Sequence, residues 1–225
     1  MTNAQPGDTV AARTHIAIVL DRSGSMESIR DDVVGGFNAF LASQQAVEGQ
    51  ATLTLVQFDS QDPHEVLFDH APIKAVRPLG RQDFVPRGCT PLLDAVGRTL
   101  LATELWLAQQ PVDTRPEQIV FVIITDGQEN ASREFNLARV RGLIQAKEAL
   151  GWQVVFLSAD LGAFHEAGEL GIAESKRALF SKDAYSNRQM FERTSSKVAA
   201  MRRRQASDIG YDAADRDAMG GKPID

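Results

Sequence analysis

Two stretches decide how this chain reads: Asp21-Arg22-Ser23-Gly24-Ser25 and Ile124-Thr125-Asp126-Gly127. Each directly follows an apolar run, Ile16-Ala17-Ile18-Val19-Leu20 in the first case and Ile119-Val120-Phe121-Val122-Ile123-Ile124 in the second. Unbroken β-rich runs of this kind suit parallel strands covered on both faces. In open parallel sheets, ligands bind beyond the carboxyl ends of the strands, where the strand order reverses. Asp21, Ser23, Ser25 and Asp126 are therefore expected at one sheet edge. All four offer hard oxygen donors, which suit magnesium, calcium or manganese rather than zinc or copper.

The rest of the chain reads outward from those runs. His15–Asp21 is the first expected strand, and Met26 to about Val47 the first helix. That helix carries Ile29, Val33, Phe37, Phe40 and Leu41 at helical spacing. Gly35-Gly36 inside it costs about 1 kcal/mol per glycine against alanine, which points to close packing of the helix on the sheet. Leu53–Asp59 and Glu65–His70 read as a strand and its hairpin partner across Ser60-Gln61-Asp62-Pro63, giving an antiparallel edge. Residues 72–90 read mostly as loop. Helix follows from Pro91 to about Gln110, strand over Gln118–Thr125, helix over Phe135–Leu150 with Gly151 as its stop, and strand over Trp152–Ser158. A short helix over 160–170, a short strand at Leu179-Phe180 and a long helix over Ala184–Arg204 complete the pattern.

Strands thus alternate with helices. The expected fold is α/β: a doubly wound, mostly parallel sheet with one antiparallel edge strand and helices on both faces. Residues 1–14 read as a flexible N-terminal segment, 15–206 as the domain, and 207–225 as a polar tail without apolar periodicity, dispensable for folding.

The chain has 225 residues, 43% hydrophobic and 24% charged, as in ordinary globular proteins. A net charge of −6 gives no electrostatic support for nucleic-acid binding. No apolar run approaches the roughly 20 residues of a membrane helix. The opening residues lack the pattern of a secretory signal. Cys89 is a single cysteine and forms no internal disulfide, so a cytoplasmic location is expected.

A third piece completes the site. Gly88-Cys89-Thr90-Pro91-Leu92 places a hydroxyl directly before a helix, between the two aspartate stretches. DxSxS followed by a helix, then the threonine, then the late TDG resembles the von Willebrand factor type A (VWA) family with a metal-ion-dependent adhesion site. The resemblance spans about residues 15–206, to a family found in integrin inserted domains and in stand-alone bacterial proteins, and the chain reads as a member of the stand-alone bacterial type. It implies a Rossmann-like VWA fold and a magnesium-type ion (Mg2+, or Mn2+ or Ca2+) at Asp21, Ser23, Ser25, Thr90 and Asp126. It further implies that Ser23 and Ser25 bind the ion directly, and that Asp21 and Asp126 do so directly or through water.

Each piece also has a plain structural reading. Asp21 could start a turn, Ser25 could cap the helix after Met26, and Thr90 sits at an N-cap position before Pro91. Asp126-Gly127 is a common turn pair. The joint occurrence of all three favours the ion. Asn130 is expected to shape the loop after the strand. Asp94 should complement its own helix N-terminus, and Arg87 reads as a solvated loop charge. Arg202-Arg203-Arg204 should favour the end of their own helix. His15, His64, His70 and His165 show no metal spacing, and Cys89 reads as a small loop residue.

The leading expectation is a binding module, not an enzyme: a metal-dependent adaptor whose ion takes a glutamate or aspartate of a protein partner. Family analogy adds an AAA+ ATPase or a stress-response complex as the partner's context, with no nucleic acid and no membrane. The alternative is a metal-assisted hydrolase or phosphotransferase using the same ion. Against it, DRSGS lacks the second aspartate of a DxD pair, and neither a P-loop nor a GxSxG elbow is present.

Overall fold

All eight residues of β1 (Thr14–Asp21) are buried, and this strand lies inside a six-stranded sheet. The computed structural model describes residues 12–220, so residues 1–11 of the expected N-terminal segment lie outside the described residues. Ala12 donates its N–H to Arg202 O, and Thr14 already pairs in the sheet, so the segment's last residues belong to the domain.

The other strands are β2 (Ala51–Phe58), β3 (Glu65–Pro72), β4 (Gln118–Thr125), β5 (Gln153–Ser158) and β6 (Arg177–Leu179). Their order is β3-β2-β1-β4-β5-β6. All pairings are parallel except β2 with β3, which runs antiparallel at the edge. The chain leaves β1 toward β2 on one side and later returns to β4 on the other. The junction of β1 and β4 is therefore the point where strand order reverses.

Alternation along β1 divides the core. Ile16, Ile18 and Leu20 face α1 (Arg30–Gln45) and α5 (Ala184–Arg202), packing with Val33, Phe37, Met190 and Val198. Ala17 and Val19 face the opposite layer, made by α2 (Leu92–Gln109), α3 (Leu137–Ala149) and α4 (Leu161–Glu169). Each large apolar side chain so buried stabilises the fold by roughly 1.5–3 kcal/mol. Helix starts follow the sequence chemistry. Asn136 accepts the Arg139 N–H at 2.9 Å, Asp160 the Ala163 N–H at 2.9 Å, and Asp183 the Ser186 N–H at 2.9 Å.

Several expectations change. The first helix begins at Arg30; Gly24–Ile29 is a 3-10 turn, which lets the chain pivot out of β1 before the α-helix starts. Gly36 admits close packing, but of α5 rather than of the sheet: a Cβ there would run into the Phe191 ring. Arg202 is fully buried. It serves a neighbour's end instead of its own, donating to Gln44 O at 2.5 Å in the last turn of α1 and to Val47 O at 3.3 Å just beyond that helix.

Residues 207–220 of the expected tail are packed on the domain, and 221–225 lie outside the described residues. Ile209, Tyr211 and Met219 are buried in the α1–α5 layer, and Ala213–Ala218 forms α6, capped by Asp212 and Asp215 in a reciprocal box. The Tyr211 hydroxyl lies 2.9 Å from Thr194 Oγ1, and Lys197 pairs with Asp215 at 2.6 Å. Three scattered apolar anchors, rather than a periodic stripe, hold this segment, which is why its polar composition hid it.

Candidate metal centre

Asp21 ends β1 with its carboxylate fully buried. Its Oδ1 accepts the Ser23 N–H at 2.6 Å, which bends the chain out of the strand. Its Oδ2 accepts the Thr125 hydroxyl at 2.6 Å, from the last residue of β4. Asp126 follows directly. Its Oδ1 accepts the Ser25 hydroxyl at 2.5 Å, and Ser25 Oγ lies 3.1 Å from Ser23 Oγ. A methyl group on Gly127 would stand 3.8 Å from Thr90 Oγ1 and 3.9 Å from Ser25 Oγ. All five side chains named from the sequence thus gather at the carboxyl edge of the β1–β4 junction.

Thr90 is brought there by a ladder of loop contacts. Arg87 N–H donates to Arg22 O at 2.9 Å, Gly24 N–H to Gly88 O at 3.1 Å, and Ser60 N–H to Cys89 O at 3.1 Å. Gly88 has φ +68, and a Cβ on it would meet Ser60 Oγ at 2.5 Å, so the ladder requires glycine. Asn130 clamps Thr90 from the other side: its Oδ1 accepts the Thr90 N–H at 2.8 Å, and its N–H donates to Thr90 O at 3.1 Å. Beneath the ladder, buried Asp59 accepts from Arg22 Nε and Arg87 Nε, each at 2.9 Å. Arg87 is therefore engaged on Asp59 rather than simply solvated.

The capping roles open to the hydroxyls are not taken. Ser23 stands at the start of the 3-10 turn with no side-chain cap bond. Ser25 turns to Asp126 instead of a helix N–H. Helix α2 begins at Leu92 without a cap from Thr90; Glu129 Oε2 accepts the Leu93 N–H at 2.9 Å and Ser132 Oγ the Asp94 N–H at 3.0 Å. Asp94, expected to serve its own helix end, instead accepts three N–H groups from Arg133, Glu134 and Phe135. It fixes the loop that carries Asn130.

The electrostatics suit a cation. Burial pushes the Asp21 carboxyl up to about 6, against the pull of the Thr125 and Ser23 hydrogen bonds, and neighbouring Asp126 pushes the same way. The groups that hydrogen-bond Asp21 carry no charge. Two adjacent buried carboxylates with three hydroxyls form an oxygen-only donor set of low charge, which fits a hard divalent ion that keeps some of its waters. Among the described residues no group of three His, Cys, Asp or Glu side chains gathers for a metal; here three of the five donors are hydroxyls.

Two contacts were not anticipated. Thr125 lies inside the quoted TDG stretch, and its place as the residue before the aspartate was the available signal. Lys182 donates to Asp126 Oδ2 at 2.7 Å. It lies 56 residues from Asp126, and only the placement of β6 beside β5 brings its loop to the site.

No family model matches the chain, and no curated protein matches it. Solved structures do. They include the proximal thread matrix protein 1 from the mussel byssus, at TM-score 0.58 and 15% identity over 84% of this chain and 47% of that one. A von Willebrand factor type A protein from Catenulispora acidiphila aligns at TM-score 0.56 and 12% identity over 84% and 43%. The pilus adhesin SpaC from Lactobacillus rhamnosus GG aligns at TM-score 0.64 and 14% identity over 86% and 31%. The chain spans less than half the length of these structures. At such identities the likeness concerns the fold, which is VWA-like.

Proposed function

We propose that this domain is a metal-dependent protein–protein interaction module. Asp21, Ser23, Ser25, Thr90 and Asp126 would hold Mg2+ or Mn2+, with Ca2+ as a further candidate. When bound, the ion supplies a Lewis-acidic position that accepts an outside carboxylate. One observation carries the reading: three hydroxyls beside helix starts make no cap bond and gather with two buried carboxylates. Two carboxylates balance a divalent charge and hydroxyls add none, so the ion retains attraction for an anion.

The partner is a protein presenting one glutamate or aspartate, and binding is reversible without chemistry on either side. The structural likeness to an adhesin and to a von Willebrand factor type A protein supports an interaction role. An AAA+ ATPase or a stress-response complex is the partner class that family analogy adds. The lone, exposed Cys89 suits a reducing cytoplasm. Among the described residues no helix is long and apolar enough to cross a membrane.

Calorimetric titration of MgCl2 and MnCl2 tests the site. One weak site is expected in the native chain and none in Asp21→Ala; equal binding by both would overturn it. Capture from native extract with magnesium and with EDTA then tests the role, since the partner should appear only with the ion. Magnesium-dependent phosphatase activity lost in Asp21→Ala would favour the hydrolytic alternative instead.

A further inference from the structure

The lysine on Asp126 has a consequence for ion binding. Asp126 is fully buried, and its two oxygens are shared between an internal hydroxyl and an internal ammonium: Ser25 on Oδ1 at 2.5 Å and Lys182 on Oδ2 at 2.7 Å. The Lys182 side chain is 38% exposed, so it reaches in from the rim. Its backbone, by contrast, is fixed on both sides. Phe180 N–H donates to Ser158 O at 2.9 Å, at the end of β5. Ser181 N–H donates to Met219 O at 3.0 Å, and its hydroxyl donates to Gly220 O at 3.1 Å, just beyond α6. Asp183 caps α5. The lysine therefore stands at the site by construction, and only its flexible side chain is free to leave.

We propose that Lys182 is a tethered counter-ion that occupies Asp126 in the ion-free protein and is displaced when a divalent ion binds. This rests on the metal-site reading above. An ion held by Ser25 and Asp126 brings two positive charges beside the ammonium, and like charges at that range repel strongly in a partly desolvated place. The side chain must swing to the rim. A tethered cation competes at a fixed effective concentration, whatever the solution contains. It lowers apparent ion affinity by the fraction of molecules in which Asp126 is already engaged. It also spares the buried carboxylate from standing unpaired when no ion is present. The displaced ammonium stays beside the position where an acidic partner would arrive.

The test is titration of MgCl2 and MnCl2 into the full chain and into Lys182→Met and Lys182→Arg, with circular dichroism to show that all three are folded. Lys182→Met should bind the ion about fivefold more tightly, the upper end of what a partly exposed ion pair is worth. Lys182→Arg, which keeps the charge, should stay near the native value. In EDTA, Lys182→Met should melt below the native chain, and added magnesium should raise its melting temperature by the larger amount. Binding by Lys182→Met only, with none by the native chain, is the extreme form of the same result. Equal or weaker binding by Lys182→Met, with the native chain still binding, overturns the counter-ion role and leaves the metal site standing. Binding by none of the three overturns the metal site and this role with it.

Discussion

The Thr125 hydroxyl donates to Asp21 Oδ2 at 2.6 Å, tying the end of β4 to the end of β1 where the strand order reverses. Thr125→Val keeps the shape and removes the donor from a buried carboxylate. It should lower stability by about 1–3 kcal/mol in urea titrations and weaken magnesium binding together with it. Thr125→Ser should restore most of both. A valine variant as stable as the native chain would show that the bond is incidental.

An ion that binds only the folded chain must stabilise it. At ten times its dissociation constant, magnesium should add about 1.4 kcal/mol, read as a rise in melting temperature. Asp21→Asn should show no rise. The same rise in both proteins would place the ion elsewhere.

Arg202 is a buried cation serving the last carbonyls of α1, and burial, with Arg203 nearby, pushes its pKa down to about 10. Arg202→Met should cost about 1–3 kcal/mol by removing the charged donor from Val47 O and from Gln44 O, the latter keeping only backbone N–H partners. Denaturant midpoints would measure this. A neutral effect would mean that water replaces the guanidinium.

Removal of residues 207–225 strips Ile209, Tyr211 and Met219 from the core. At roughly 1.5–3 kcal/mol for each side chain, the truncated chain should unfold well below the native midpoint or fail to accumulate in soluble form. Tyr211→Phe is the mild counterpart and should lose about 1 kcal/mol with its bond to Thr194. Unchanged stability on truncation would show that these anchors add little.

Burial, with a smaller contribution from His70, pushes His15 down to about 3 from an ordinary value of 6.5. The unfolded chain therefore takes up a proton below 6.5 that the folded chain refuses. The stabilising effect is complete above pH 6.5 and is lost progressively as pH falls toward 3. Between pH 7.5 and 5 the unfolding free energy should drop by about 2 kcal/mol from this residue. His64 and His70, also lowered chiefly by burial, act in the same direction. His15→Gln should flatten the slope; an identical slope would assign it to the other two.

The parts of the molecule legible in the sequence are those governed by neighbours along the chain. The apolar runs before Asp21 and Asp126, the β2–β3 hairpin and the glycine stop at Gly151 are all local patterns, and all fall close to where the structure has them. The five candidate ligands were legible for the same reason, since each sits at a strand end or before a helix. What escaped depends on the sheet order. Lys182 reaches Asp126 only because β6 is the neighbour of β5, and nothing around residue 182 announces it. Arg202 looked like an end-of-helix cation because its true partners lie 158 and 155 positions away. The C-terminal anchors lack any period, so no pattern search isolates them.

The placement of β1 also has a bearing on how the chain is made. Its two neighbours are β2 and β4, and 60 positions separate Phe58 from Gln118. At about 5–20 residues per second, a ribosome needs roughly 3–12 s to cross that gap. During those seconds the nascent chain carries a strand with the apolar run Ile16–Leu20 and one side unpaired, a template for any passing strand. The emerging polypeptide should therefore be most dependent on chaperones, and most prone to aggregate, when synthesis pauses between residues 60 and 118.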